Sequence, residues 1–267
     1  MLHYFGYGSN MNPTSLRHKG VVPASSERAT LHGYQLVFDV HHWFRHEGGV
    51  GNVKPGAPDD RVEGVLHVID EVQLAKLDQV ESYGVGYDRI EVEVQTAEGT
   101  VSALTYVGLP QYLDPSCLPT RRYLNILVKG AEHAELPEPY LAWLRDHPVY
   151  EHPPAGPFSP PPGDHPVYTA STLPPHHTAL AGRVFDMRGC RWEHECLLDL
   201  IGGRDMTLFH LRRMDTSDGS ETLEDVAAGR LAPDQAAYVN AYLAEYDREY
   251  RYAGTFDYST PSPREAP

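Results

Sequence analysis

The chain has 267 residues, of which 41% are hydrophobic, and its 22 basic and 37 acidic side chains give a formal net charge of −15. This length allows a sizeable core and one or two domains. No run of Lys and Arg offers the basic patch that a phosphate backbone requires, so nucleic acid is not an expected partner. The three cysteines do not make a disulfide framework, and no apolar run approaches the roughly 20 residues of a membrane span. With no visible signal peptide, we expect a cytoplasmic protein that does not enter a membrane.

The first 147 residues alternate between strand and helix patterns, which predicts a mixed α and β domain. In chain order the predicted elements are a strand that ends at Tyr7, a short helix from Asn12, a strand over 31–40, a glycine-rich loop over 48–55, a strand over 62–69, a helix from the N-cap Asp70 to Glu81, strands over 90–94 and 101–107, and helices over 119–136 and on to Asp146.

The composition changes after residue 147, because ten of the 23 prolines lie between Pro148 and Pro175. Such a segment holds neither a regular helix nor a central strand, so 148–178 is predicted to be a linker or a surface strap. An accessory α/β domain is predicted over 179–258, followed by a frayed tail over 259–267. Its predicted elements are strands over 179–187 and 206–212 and helices over 193–201, 222–230 and 233–252.

Tyrosines at 238, 242, 246 and 250 share one face of the last predicted helix. We expect that face to pack on the first domain or on a second subunit. The accessory domain could then either cover a functional site or form a homodimer, and it carries no motif with chemistry of its own.

Two stretches of the first domain suggest a site. The opening strand runs into Gly8-Ser9-Asn10, a turn whose backbone N–H groups can point at a ligand. Glu81 ends a helix between apolar Val80 and a glycine-rich loop, where a poorly solvated carboxyl would suit general acid–base catalysis. Each has an ordinary alternative, a plain strand-to-loop connection for the turn and an exposed helix-end glutamate for Glu81.

Taken together, these stretches resemble the γ-glutamylcyclotransferase-like family over about residues 1–147. The ordered motifs that carry the resemblance are Tyr7-Gly8-Ser9-Asn10-Met11, Gly48-Gly49-Val50-Gly51-Asn52-Val53, Val62-Glu63-Gly64-Val65-Leu66, Leu77-Asp78-Gln79-Val80-Glu81 running into Gly86-Tyr87-Asp88-Arg89, and the segment from Pro119 to Leu144 with Tyr123.

The resemblance implies an α+β fold around a small mixed β-barrel with surrounding helices, to which the smaller C-terminal α/β domain is an addition. It also implies a small-molecule γ-glutamyl substrate, no metal and no organic cofactor. Glu81 would be the catalytic acid–base, and the substrate would be bound by the turn Tyr7, Gly8, Ser9 and Asn10 together with Asn52, Tyr87 and Tyr123.

The implied reaction is intramolecular: the α-amine of a γ-glutamyl amide attacks its own γ-carbonyl and releases 5-oxoproline and a free amine. Two alternatives stay open, a non-catalytic γ-glutamyl-binding or scaffold protein and a hydrolase or acyltransferase that uses the same pocket. Two departures concern the substrate. Ser82 stands where many members have Gly, and Asp88 stands where many have Tyr, with Tyr87 one position earlier. The identity of the leaving amine is left open.

Histidines 41, 42 and 46 form a local group that could suggest a metal. We expect them to be ordinary loop residues, because the sequence places no Cys or carboxylate beside them to complete a tetrahedral set.

Overall fold

The computed structural model describes residues 1–259 and separates the chain into two compact units, the first from Met1 to His152 and the second beginning at Pro153. The predicted tail therefore lies outside the described residues, except for Ser259. Among the described helices, none combines the length and the apolarity that crossing a bilayer takes.

The first unit is built on seven strands: β1 (Leu2–Gly6), β2 (Ser25–His32), β3 (Tyr34–His41), β4 (Gly49–Pro55), β5 (Arg61–Ile69), β6 (Tyr87–Thr96) and β7 (Gly99–Gly108). Five of them close a barrel in the order β1-β5-β2-β6-β7, and β3 pairs with β4 as a separate hairpin. Because β1 runs parallel to β7 while the other barrel pairs are antiparallel, the barrel is mixed. The predicted fold is confirmed.

Four helices surround the barrel: α1 (Pro13–His18), α2 (Glu71–Val80), α3 (Arg121–His133) and α4 (Glu138–Asp146). Three begin at side-chain caps, which supply acceptors for the unpaired N–H groups of a first turn. Asn12 caps α1, Asp70 caps α2 and Thr120 caps α3. The cap at Asp70 fixes where α2 begins, and α2 ends at Val80 with Glu81 as its C-cap.

One core joins the barrel interior to the inner face of α3 and includes Phe5, Leu31, Val62 and Leu127, each at most 1% exposed. Burying each such side chain contributes about 1.5–3 kcal/mol. Within α3, a Cβ on Gly130 would lie 2.7 Å from the backbone nitrogen of Asn12. Glycine there lets the helix backbone approach the chain just after β1, which fixes the opening turn against α3.

Two predictions in the first unit were wrong. The predicted strand over 31–40 is two strands, because Gly33 at φ 73° turns the chain between β2 and β3. The predicted loop over 48–55 is strand β4, since its glycines accompany a ladder with β3 instead of breaking it.

The second unit holds strands β8 (Val167–Tyr168), β9 (His177–Leu180), β10 (Arg183–Asp186), β11 (Arg204–Asp205) and β12 (Arg251–Phe256), in the sheet order β11-β9-β10-β12-β8. Its helices are α5 (Leu198–Ile201), α6 (Thr207–Leu211), α7 (Leu223–Ala227) and α8 (Pro233–Glu249).

This unit corrects four predictions. The predicted strand over 206–212 is the helix α6, and the predicted helix over 233–252 ends at Glu249 before strand β12. The proline-rich segment is not wholly a linker, because β8 and the start of β9 lie within it. The tyrosine face packs inside its own unit: the Tyr246 ring centroid lies 5.6 Å from that of Phe185, and the Tyr242 ring lies 3.7 Å from His210.

Candidate active site

The candidate site begins where β1 ends. After Tyr7 the chain enters a 3-10 turn over Ser9–Met11, held by the Met11 N–H, which donates to the Gly8 carbonyl at 3.0 Å. This turn directs the Asn10 side chain inward, where it is 6% exposed. The carbonyl of Asn10 accepts a hydrogen bond from His67 Nε2 at 3.0 Å, which links the turn to strand β5.

The turn and Glu81 come together although 71 residues separate them. Asn10 Nδ2 donates to Glu81 Oε1 at 3.1 Å and to the Tyr4 hydroxyl at 2.6 Å. The Glu81 side chain is 18% exposed. The structure thus brings together the two stretches that the sequence singled out.

Lys19 completes this cluster, and the sequence did not reveal it. Its Nζ donates to Glu81 Oε1 at 2.9 Å, to Asn10 Oδ1 at 2.6 Å and to Ser9 Oγ at 3.3 Å. The side chain is only 3% exposed, so this is a buried cation with three acceptors. An ammonium at this distance stabilises the charged carboxylate. A lysine that follows a short helix has no sequence signal that separates it from a surface lysine.

Three tyrosine hydroxyls line the neighbouring wall around Gly51. The Tyr87 hydroxyl donates to the Gly51 carbonyl at 2.9 Å, and the Gly51 N–H donates to the Tyr123 hydroxyl oxygen at 3.0 Å. The Tyr7 hydroxyl donates to the Tyr106 carbonyl at 2.7 Å. Burial raises the pKa of Tyr7 and Tyr87 well above the ordinary value and that of Tyr123 to about 12. All three therefore remain neutral phenols near pH 7.

The Tyr123 hydroxyl is surrounded by the backbones of the turn after β1 and of strand β4. A Cβ on Gly8 or on Gly51 would lie 3.0 Å from this oxygen, so glycine at both positions lets the two backbones approach it. The Ser9 amide also donates to it, and this contact and the one from Gly51 act to lower the pKa of Tyr123, against the larger effect of burial. The Ser9 N–H predicted to face a ligand is thus directed at Tyr123.

Asn52 has a different environment from the other predicted site residues. Its side-chain amide donates to Asp39 Oδ1 at 2.9 Å and accepts from the Gly108 N–H at 2.9 Å. Asn52 thus links β4 to β3 through Asp39 and to β7 through Gly108.

The two departures from the family pattern have clear positions. Asp88 is exposed, and its carboxylate accepts a hydrogen bond from the Arg89 N–H. Tyr87, in contrast, donates its hydroxyl to the Gly51 carbonyl. Ser82 has φ 52°, the left-handed conformation that glycine adopts without strain after a helix. Its hydroxyl accepts from Trp43 Nε1 at 3.2 Å.

Arg89, which follows Glu81 by eight positions, pairs with Asp78 at 3.2 Å. Elsewhere in this unit, Asp114 and Cys117 lie beside His41, so the reasoning that no Cys or carboxylate accompanies these histidines was wrong.

Comparisons with known proteins agree with this architecture. Residues 61–144 match the AIG2-like family, and that range lies inside the first unit. A γ-glutamyl cyclotransferase named gliK from Claviceps purpurea is 27% identical over 145 residues, which are 51% of this chain and 65% of that protein. Another named aclK, from Aspergillus oryzae, is 25% identical over 175 residues, 57% of this chain and 64% of that protein. The chain thus spans slightly less than two thirds of these relatives.

Solved structures give the same result. A structure described as γ-glutamyl cyclotransferase is 26% identical, with a TM-score of 0.50, and the match covers 57% of this chain and 90% of that one. An uncharacterized protein from Homo sapiens is 27% identical, with a TM-score of 0.50 and coverage of 59% and 93%. The resemblance to the γ-glutamylcyclotransferase-like family is confirmed, with the second unit as an additional region.

Proposed function

Because residues 61–144 match the AIG2-like family and its named neighbours are γ-glutamyl cyclotransferases, we propose that this chain cyclises a small γ-glutamyl amide and releases 5-oxoproline and a free amine. The observation that carries the proposal is the contact of the Glu81 carboxylate with Asn10 and Lys19 beside the glycine turn. In that position Glu81 is the proton carrier.

The substrate supplies its own nucleophile. Its α-amine nitrogen forms a bond to the γ-carbonyl carbon, and the bond from that carbon to the leaving nitrogen breaks. Holding the substrate folded uses the effective molarity of intramolecular attack, up to roughly 10⁵–10⁸ M in well-oriented cases. Glu81 takes the protons that the attacking nitrogen loses and passes them to the leaving nitrogen, which contributes on the order of 10²–10⁴-fold.

The oxyanion of the tetrahedral intermediate needs preorganised donors. We assign this role to the Tyr123 hydroxyl, to which the Ser9 N–H of the turn donates. Donation from the Gly51 and Ser9 amides to the Tyr123 oxygen strengthens its own O–H as a donor.

A panel of γ-glutamyl compounds, including glutathione, γ-glutamyl dipeptides and γ-glutamyl-amines, tests the proposal by chromatographic measurement of 5-oxoproline and glutamate. We expect 5-oxoproline from at least one compound, and a loss of at least about 10²-fold in Glu81→Gln. Glu71→Gln, an exposed change in the first turn of α2, is the matched control and should keep full activity.

The same panel separates the alternatives. Free glutamate in place of 5-oxoproline would indicate a hydrolase, and binding without any product would indicate a γ-glutamyl-binding protein. A folded Glu81→Gln variant with wild-type turnover would exclude Glu81 as the acid–base.

A further inference from the structure

A second group of reactive side chains lies where β3 ends. His41 is the last residue of β3, and Asp114 and Cys117 belong to the segment between β7 and α3. His41 Nε2 lies 3.2 Å from Asp114 Oδ2, and Cys117 Sγ lies 3.4 Å from His41 Nδ1 and 3.7 Å from Nε2. One ligand atom from each residue lies within 4.8 Å of the others. Cyclisation as proposed above uses none of these three groups.

The distances are close to those of a tetrahedral metal centre. Bonds of about 2.0–2.3 Å from zinc to nitrogen, oxygen and sulfur at tetrahedral angles put the ligand atoms roughly 3.3–3.7 Å apart. The separations of His41 Nε2 from Asp114 Oδ2 and from Cys117 Sγ, 3.2 and 3.7 Å, are close to that range. Binding of an ion at Nε2 requires the Cys117 side chain to rotate from Nδ1, now 3.4 Å away, towards Nε2. Imidazole, carboxylate and thiolate are a donor set that suits Zn²⁺ better than Mg²⁺ or Ca²⁺.

The ligands are also oriented by their surroundings. The Ser116 N–H and hydroxyl both donate to Asp114 Oδ1, at 2.8 and 2.6 Å, and this leaves Oδ2 as the oxygen facing His41. The Asp114 N–H donates to the Asp39 carbonyl at 2.7 Å, and the Cys117 N–H donates to the Asp114 carbonyl at 3.0 Å. Such outer contacts are the feature that sets ligand direction in metal sites.

We propose that His41, Asp114 and Cys117 bind a divalent transition-metal ion, best met by Zn²⁺, with water as the fourth ligand. The ion would join the end of the β3–β4 hairpin to the segment that precedes α3. Since β4 carries Gly51 and α3 carries Tyr123, this link would stabilise the wall of the active site without taking part in the chemistry.

The same three residue types could instead form a nucleophilic Cys–His–Asp relay, which requires a readily formed thiolate. Iodoacetamide labelling of Cys117, with and without Zn²⁺, separates this relay from a metal site.

The second unit has a trio of the same kind, His176, His177 and Asp186. There the Asp186 carboxylate already accepts from Arg188 at 2.7 Å and from Arg251 at 2.6 Å. Two guanidinium charges on the carboxylate oppose a metal cation, so this trio is not proposed as a site and serves as an internal control.

The test uses the full chain, reduced and stripped of metal, titrated with Co²⁺ as a spectroscopic probe and then with Zn²⁺. We expect one Co²⁺ per chain with a thiolate-to-cobalt charge-transfer band and the intense visible bands of tetrahedral cobalt, both removed by Zn²⁺. Zn²⁺ should also raise the melting temperature of the first unit, because an ion that binds only the folded state stabilises it.

Variants at the partly exposed ligands assign the site. Cys117→Ser should abolish the charge-transfer band, and Asp114→Asn and His41→Gln should each weaken Co²⁺ binding at least about tenfold. Ser116→Ala, which removes one donor to Asp114, should weaken it about tenfold. The matched controls Cys190→Ser and His177→Gln, both in the second unit, should leave the band and affinity unchanged, with circular dichroism confirming each fold.

Absence of a charge-transfer band in the wild-type chain would overturn the proposal, as would a band that survives in Cys117→Ser or disappears in Cys190→Ser. Alkylation gives an independent readout: Zn²⁺ should slow iodoacetamide labelling of Cys117 and not of Cys190. Cys117 labelling that is faster than that of Cys190 and insensitive to Zn²⁺ would identify a reactive thiol instead of a metal ligand.

Discussion

Replacing Lys19 by Met should destabilise the first unit, because it leaves the Glu81 carboxylate without its buried cation. The Lys19 side chain is 3% exposed and that of Glu81 is 18% exposed. Removing one partner of a buried ion pair costs about 3–5 kcal/mol. Since Glu81 keeps some contact with water, we expect the lower end, about 3 kcal/mol.

Glu81→Gln should cost a comparable amount, about 3 kcal/mol, because it leaves the buried Lys19 ammonium without a counter-charge even though the amide oxygen can still accept from it. Lys19 also keeps Asn10 Oδ1 and Ser9 Oγ as acceptors. Removing both charges in Lys19→Met/Glu81→Gln leaves neither of them unpaired. The double variant should therefore lose less stability than the sum of the single changes, with a coupling of about 1–3 kcal/mol.

Urea unfolding followed by tryptophan fluorescence measures this cycle. Trp192 in the second unit is 59% exposed and is replaced by Phe, so that Trp43 and Trp143 report on the first unit. Lys76→Met is the matched control: its ammonium donates to the Gly20 carbonyl at an exposed site, and the change should stay within about 0.5 kcal/mol. Single costs that add within about 0.5 kcal/mol would refute a coupled pair.

The pH dependence of catalysis shows whether Lys19 acts on Glu81 or only stabilises the fold. Without the ammonium, the charged form of Glu81 is less favoured, so the acid limb of the kcat/KM profile should move to higher pH in Lys19→Met. Lys19→Arg keeps the charge and should move it little. An unshifted acid limb in Lys19→Met would mean that Lys19 only supports the fold.

Three further changes probe the site. Ser82→Ala and Ser82→Gly both lose the hydrogen bond from Trp43, but only glycine adopts φ 52° without strain. In thermal unfolding, Ser82→Gly should therefore be about 1 kcal/mol more stable than Ser82→Ala. Tyr123→Phe should lower kcat for 5-oxoproline release by about 10²–10³-fold if its hydroxyl meets the oxyanion. Burial lowers the pKa of His67 to about 4, below its unfolded value of 6.5. The contribution of neutral His67 to the free energy of unfolding is therefore complete above pH 6.5 and is lost as the pH falls towards 4. Between pH 7 and 5 this loss is about 2 kcal/mol, and His67→Gln should remove it from the measured pH dependence.

Strand prediction succeeded where a strand carries its own pattern. Strand β5, predicted over 62–69, is buried along most of its length, from Val62 to His67 and again at Ile69. Most of strand β2 was missed because its first four residues, Ser25 to Arg28, are exposed and only Ala29 and Leu31 are buried. Its stability comes from pairing with β5 and β6, and such pairing leaves little trace in a strand's own composition.

Helix α6 shows the opposite failure. The apolar residues around it alternate and so predicted a strand, yet Thr207, His210 and Leu211 are all buried at helical spacing. A helix of five residues is too short for its periodicity to be separated from that of a strand. The motifs fixed the turn and Glu81, whereas Lys19 is recognised only once α1 and α2 are placed in space.

The composition of the active-site wall bears on which reaction the pocket favours. Its hydroxyls belong to buried, neutral tyrosines, and the carboxylate is mostly covered by Asn10 and Lys19. Hydrolysis needs an ordered water with access to the γ-carbonyl, while cyclisation needs none because the nucleophile is part of the substrate. A pocket that excludes water strengthens the contacts of Glu81 and removes the competitor of the α-amine. Under the proposed function we therefore expect more 5-oxoproline than glutamate, and the ratio of the two products measures that preference directly.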